Sequence, residues 1–164
     1  MNMNLPNGTD LILEKQFLKN DPCRKRAYIC SPLNGETNEE ILSNMRYARF
    51  CMLYAHERMN LLARAPHAYL PMLLCDRLPA ERALALEFGL RLLDESEILL
   101  VCGNRVSRGM AGEICHAAKL RMEIRTFDEE VFLQAKKLVT SVGGEKGTVK
   151  LDHGHPFLTA PDTV

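Results

Sequence analysis

The sequence predicts an α/β protein of the small doubly wound, Rossmann- or flavodoxin-like class, with a parallel sheet of four to five strands in the order 2-1-3-4. Three observations lead there. Short apolar runs alternate with longer segments whose apolar residues recur every three or four positions, the pattern of strands joined by helices. The most apolar run, residues 98–102, is continuous rather than alternating, as suits a strand buried on both faces. A glycine-rich turn, residues 103–109, follows it and leads into a helix-like segment, the strand-to-helix junction where open α/β sheets bind ligands. At 164 residues the chain is long enough for one compact domain with a core of its own.

Residues 1–25 read as an N-terminal extension, with turns at Pro6, Asn7 and Gly8 and at Asp21 and Pro22, and a short helix over about 10–19. The core domain, 26–140, opens with a strand over 27–31 that Pro32 and Gly35 break. Thr37 or Asn38 caps a helix to about residue 58, in which Ile41, Met45, Ala48, Met52 and Ala55 form one stripe. A second strand, 61–65, stops at Pro66 and His67. A loop with a short apolar helix over 69–75 follows. Pro79 stands at a favourable first helical position, and its helix runs to about residue 95 with Leu84, Leu86, Phe88, Leu92 and Leu93 as apolar content. After the third strand and the glycine-rich turn come a helix over 110–120 and a fourth strand over 122–127. Asp128 caps a last helix to about residue 139. From Ser141 onward glycine, histidine and proline dominate, and 141–164 reads as a C-terminal tail.

Twenty-one basic residues balance 21 acidic ones, so no global field draws the chain to nucleic acid or an anionic membrane. No run of eighteen apolar residues and no basic-then-apolar leader is present, and a cytoplasmic location is expected. The six cysteines contain no C-x-x-C pair and read as structural, Cys30 and Cys102 as small hydrophobes within strands. His153 and His155 have no further ligand near them in sequence, so neither a metal nor another cofactor is expected.

In the expected strand order the switch point lies between strands one and three. The loops at 31–35 and 103–109 then face each other across one crevice, and His67 borders it. Ser31, Pro32, Gly35, His67, Gly103, Asn104, Arg105, Ser107, Arg108, Gly109 and Met110 are the expected ligand-binding residues. Backbone N–H groups and the forked guanidinium groups suit phosphate. Glu113 falls about one turn into the helix. On its own it reads as a surface carboxylate favoured by the helix dipole.

The run Tyr28, Ile29, Cys30, Ser31, Pro32, Leu33, Asn34, Gly35, then Asn44 with Ala48, then Ala65, Pro66 and His67, then the turn from Gly103 to Glu113, resembles the DUF4406-type, nucleoside 2-deoxyribosyltransferase-like family over about residues 26–127. The resemblance implies that Glu113 is a nucleophile attacking the anomeric carbon of a nucleoside. It also implies that Ser107, Gly109 and Glu113 match the N-glycosidase branch, whose serine contacts a 5′-phosphate. Where deoxyribosyltransferases carry an aspartate in this turn, this chain has Asn104, Arg105 and Arg108, which weakens the case for base exchange. Asp76 and His67 are candidates, by location, for protonating a departing base.

The expected function is cleavage of the N-glycosidic bond of a phosphorylated nucleoside. The alternative is a non-catalytic protein that recognises or sequesters a nucleotide or an ADP-ribose-type signal. The expected partner is a small-molecule nucleotide or nucleoside, with no nucleic acid and no membrane. Homo-oligomers are implied by the resemblance and by the helix from Thr37, whose Tyr47, Phe50, Met52 and Tyr54 cannot all face one sheet. A second subunit or the N-terminal segment is expected to cover some of them.

Overall fold

The computed structural model describes residues 24–160, and the expected helix over 10–19 lies outside them. Strands β1 (Arg26–Cys30), β2 (Leu62–Arg64), β3 (Ile98–Val101), β4 (Glu123–Thr126) and β5 (Val149–Leu151) form one parallel sheet in the order β2-β1-β3-β4-β5. Cys30 pairs with Val101 in the β1–β3 register, so the two strands end level and their following loops leave side by side. The helices are α1 (Asn38–Met59), α2 (Leu70–Leu73), α3 (Pro79–Asp94), α4 (Arg108–Lys119) and α5 (Glu129–Ser141). Among the described residues no helix is long and apolar enough to cross a membrane.

The helix ends follow from short polar side chains at their caps. Thr37 Oγ1 accepts the Glu40 N–H at 3.2 Å while Glu40 Oε2 accepts the Thr37 N–H at 3.3 Å, a reciprocal capping box that starts α1. Asn60, left-handed at φ 53°, ends it. Ser107 caps α4, and Asp128 Oδ1 caps α5 by accepting the Val131 N–H at 3.0 Å.

Strand alternation divides the core into two layers. Ala27 and Ile29 of β1, with Ile98 and Leu100 of β3, pack against Tyr47, Ala48, Cys51 and Ala55 of α1. Tyr28 and Cys30, with Leu99 and Val101, pack on the opposite face against Leu93 of α3, Met110 and Ile114 of α4, and Val131 of α5. Glu97, just ahead of β3, accepts the Arg26 N–H at 2.9 Å and joins β1 to β3 at the amino edge of the sheet.

Residues 141–160 are not the tail that composition suggests. Val149 pairs with Ile124, which makes β5 the fifth strand, and the Asp152 N–H reaches Thr126 O at 2.9 Å. A 3-10 turn, Pro156–Leu158, then brings Leu158 under α1, fully buried. The Leu158 carbonyl accepts both the Tyr47 hydroxyl and the Gly103 N–H, each at 2.7 Å. This segment also accounts for two of the four large α1 side chains that cannot all face the sheet, Tyr47 and Tyr54. Tyr47 is buried by the chain's own C-terminal stretch, and the Tyr54 hydroxyl meets His155 Nδ1 at 2.8 Å with its ring 6.4 Å from that of Phe157. A three-residue edge strand and one buried leucine leave no periodicity to read, which is why the segment looked unstructured.

Candidate functional site

Residue 113 lies on the inner side of α4, six positions past the Ser107 cap, and this aims it at β1 instead of at solvent. The Glu113 side chain is 14% exposed. The Tyr28 hydroxyl donates to Glu113 Oε1 at 2.7 Å, and His67 Nε2 stands 3.8 Å from the same oxygen. The second oxygen, Oε2, is buried with no hydrogen-bond partner. Burial pushes the Glu113 pKa up, against the opposing pull of His67, Tyr28 and Cys30.

His67 follows β2 on a 3-10 turn, Pro66–Ala68, and its Nδ1 lies 3.1 Å from the Ser31 carbonyl. A carbonyl only accepts, so the hydrogen-bond network assigns the proton to Nδ1 and turns Nε2 toward Glu113. Tyr28 and Cys30 stand two apart on β1 and therefore share the face toward α4. Burial, then Glu113, pushes both their pKa values far upward, so Tyr28 stays a donor and Cys30 stays a thiol and no nucleophile. Ser31, the next residue, is fully buried and its Oγ has no hydrogen-bond partner. Two orphaned polar atoms thus flank one histidine. Leaving a buried polar group unpaired costs about 1–3 kcal/mol, so both atoms are in want of a partner.

On the other side of Ser31 the loops enclose an open cleft of about 630 Å³. It is lined by Pro32, Asn34, Gly35, Glu36, Glu40, Ser43, Asn44, Asn104 and Arg105. Asn44 Nδ2 donates to the carbonyls of Leu33 and Asn34 at 3.0 and 3.2 Å and holds this wall in shape. A Cβ on Gly35 would fall 2.5 Å from that of Glu40, so no larger residue fits there. Gly103, at φ +109° against the Pro32 ring, makes a turn that L side chains rarely adopt.

The expected residues therefore divide into groups. Ser31, His67 and Glu113 converge in one buried cluster, which we call the pocket, with His67 between the Ser31 carbonyl and the Glu113 carboxylate. Pro32, Gly35, Asn104 and Arg105 line the cleft. Ser107 Oγ is engaged in accepting the Met110 N–H at 3.3 Å, and the Met110 side chain is buried in the core. Arg108 and Gly109 are exposed at the mouth of α4, and a Cβ at Gly109 or at Gly112 would touch nothing. Glycine in a helix costs roughly 0.5–1 kcal/mol relative to alanine, so packing within the chain does not account for either one. Asp76 is removed from the pocket, in an ion pair with Arg82 at 3.7 Å on a surface where its side chain is 59% exposed. The sequence singles out neither Glu36 nor Ser43, takes Cys30 for a small hydrophobe, and offers Tyr28, Asn34 and Asn44 only as carriers of the family resemblance, with no role at a site. Period-two alternation along β1 was the one signal that put Tyr28 and Cys30 on the α4 face.

One comparison with known proteins bears on the chain's family. The family model described as a domain of unknown function (DUF7768) matches residues 25–127, from the threshold of β1 to just past β4, and so includes both the pocket and the cleft. No curated protein matches the chain. The match overturns the expected membership of the DUF4406-type, nucleoside 2-deoxyribosyltransferase-like family. The motifs behind that expectation, a Ser-Pro turn after β1 and a glycine-rich turn after β3, sit at the switch point of the sheet, a place that α/β proteins of unrelated families have in common. The chain belongs to the DUF7768 family.

Proposed function

We propose that this DUF7768 protein cleaves the N-glycosidic bond of a phosphorylated nucleoside, with Glu113 as the nucleophile. The observation that carries the reading is the Glu113 carboxylate itself: nearly dry, fixed through Oε1 by the Tyr28 hydroxyl at 2.7 Å, and bare at Oε2. Positive charge develops on the sugar as the base departs, and a carboxylate in a low-dielectric pocket stabilises such charge far more than one in water. Oε2 forms the bond to the anomeric carbon. The electron pair of the broken C–N bond leaves with the base, which takes a proton from water at the open cleft. Water then cleaves the glycosyl ester and regenerates the carboxylate. Arg105 on the cleft wall, with Arg108 at the mouth of α4, supplies forked donors for a phosphate.

The test incubates the protein with ribonucleoside and deoxyribonucleoside monophosphates and with the bare nucleosides, and resolves free base by chromatography. Release from at least one phosphorylated substrate is expected, falling by about 10²-fold or more in Glu113→Gln while nucleotide affinity is retained. Release that survives Glu113→Gln at full rate assigns the wrong nucleophile. A second reading, nucleotide binding without turnover, is favoured by one observation: the cleft is walled by Asn104 and Arg105 but not by Glu113, His67 or Tyr28. Tight nucleotide binding with no base released from any substrate decides for it.

A further inference from the structure

His67 and Glu113 face each other without touching. His67 Nε2 stands 3.8 Å from Glu113 Oε1, too far for a hydrogen bond. One oxygen atom fits such a gap at about 2.8 Å from each side. Both walls of the gap are fixed from behind: His67 Nδ1 lies 3.1 Å from the Ser31 carbonyl, and Oε1 accepts the Tyr28 hydroxyl at 2.7 Å. A carboxylate oxygen only accepts, and a protonated ring donates from Nε2, so a group between the two has to accept on one side and donate on the other. A hydroxyl does both, whereas an N–H group or a carbonyl does one. With the ring neutral the same hydroxyl still donates to Oε1. The gap is open at its rim, since the His67 and Glu113 side chains are 20% and 14% exposed. Gly109, one turn ahead of Glu113 on α4, is exposed, and a Cβ there would meet nothing within 4 Å, so it puts no side chain over the carboxylate.

We propose that this gap holds the 2′-hydroxyl of the sugar, so that the substrate is a ribonucleotide and His67 selects it over the 2′-deoxyribonucleotide, an assignment that rests on the glycosidic cleavage proposed above and names the sugar it acts on. In a β-nucleoside the base and the 2′-hydroxyl lie on opposite faces of the furanose ring. A nucleophile that displaces the base therefore approaches from the face that carries the 2′-hydroxyl. With Oε2 on the anomeric carbon, Oε1 of the same carboxylate lies beside the neighbouring carbon, C2′, and meets its hydroxyl. Oε1 is the oxygen that His67 faces. A contact to this hydroxyl strengthens as positive charge develops on the ring. A 2′-deoxy sugar leaves the gap unfilled, and a site built to bond a hydroxyl discriminates against the analogue that lacks it.

Rates of base release from ribonucleoside 5′-monophosphates and their 2′-deoxy counterparts, paired base for base, test this in wild type and in His67→Asn. Asparagine carries an amide nitrogen where Nδ1 stands, which keeps a donor for the Ser31 carbonyl, and has no atom at the place of Nε2. Wild type is expected to favour the ribonucleotide by about 10- to 100-fold in kcat/KM. In His67→Asn, kcat is expected to fall roughly tenfold more for the ribonucleotide than for the deoxyribonucleotide. A fall equal for both sugars marks a structural histidine and overturns the proposal. A wild type that cleaves both equally, or prefers the deoxyribonucleotide, overturns it as well and leaves the glycosidic cleavage standing. Calorimetry of ribose 5-phosphate against 2-deoxyribose 5-phosphate reads the gap without turnover. Tighter binding of ribose 5-phosphate, by a margin that shrinks in His67→Asn, with no base released from any nucleotide supports the hydroxyl contact and overturns the cleavage. Equal binding of the two, or none, with no base released overturns both.

Discussion

The buried cluster at Glu113, built from β1, the turn after β2 and α4, and the cleft at Asn44, walled by α1 and the loops after β1 and β3, are opposite environments. On the α4 side of Ser31, Tyr28, Cys30 and Glu113 are packed against the core, and burial shifts all three pKa values upward. On the α1 side, Asn34, Glu36, Ser43, Asn104 and Arg105 line an open, solvated wall. Under the proposed function, the contrast divides the labour of one switch point. A charge held in the dry pocket acts at full strength on a reacting bond, whereas a charge on the wet wall is screened and serves to select and orient. Substitutions in the pocket should change rate, and substitutions in the cleft should change affinity.

The largest effect short of removing the carboxylate is expected for Tyr28→Phe. Losing a hydrogen bond to a charged group, about 1.5–3 kcal/mol, lowers kcat by about 10- to 100-fold with little change in affinity. Tyr28 opposes the upward shift of Glu113, so the acid limb of the pH–rate profile moves to higher pH in this variant. An unchanged profile would show that the pocket does not act as one electrostatic unit. Arg105→Ala is expected to weaken a phosphorylated ligand about tenfold by calorimetry, more at low salt, and to leave bare nucleosides unaffected. A fall in kcat at constant affinity would erase the division between pocket and cleft.

Stability gives a smaller and independent reading. Because burial raises the Glu113 pKa in the folded state, the fold holds its proton where the unfolded chain has lost it. Stability contributed by the protonated form is therefore lost as pH rises through the raised value. Glu113→Gln is expected to raise Tm by a few degrees at neutral pH, with the gain shrinking toward the ordinary carboxylate range near pH 4.5. Gly112→Ala, whose Cβ meets nothing, should stabilise the fold by roughly 0.5–1 kcal/mol in denaturant titration and leave the pocket unaltered.

The sheet order, the Thr37 and Asp128 helix starts and the position of Pro79 were legible in the sequence because each has a local cause, an apolar run or a capping side chain, whereas Ser107, taken there for a ligand contact, caps a helix that starts two residues ahead of Met110. The adjacency of the loops after β1 and β3 followed from strand order alone. β5 was not legible: its three residues make a strand only because β4 offers them an open edge. Nor was the Tyr28–Glu113 contact, which links residues 85 positions apart and depends on the facing sides of a strand and a helix. Local pattern reports which residues sit at a ligand crevice. The packing of side chains from β1, the turn after β2 and α4 decides which of them share a buried pocket.

The central claim is that Glu113 Oε2 attacks the sugar, and the most direct measurement is the anomeric configuration of the first-formed sugar phosphate, followed by proton NMR before mutarotation. Attack by Glu113 and then by water inverts the anomeric carbon twice, so the account predicts a product with the configuration of the nucleotide. A first-formed product of inverted configuration would mean that water attacks the sugar directly, and would contradict it.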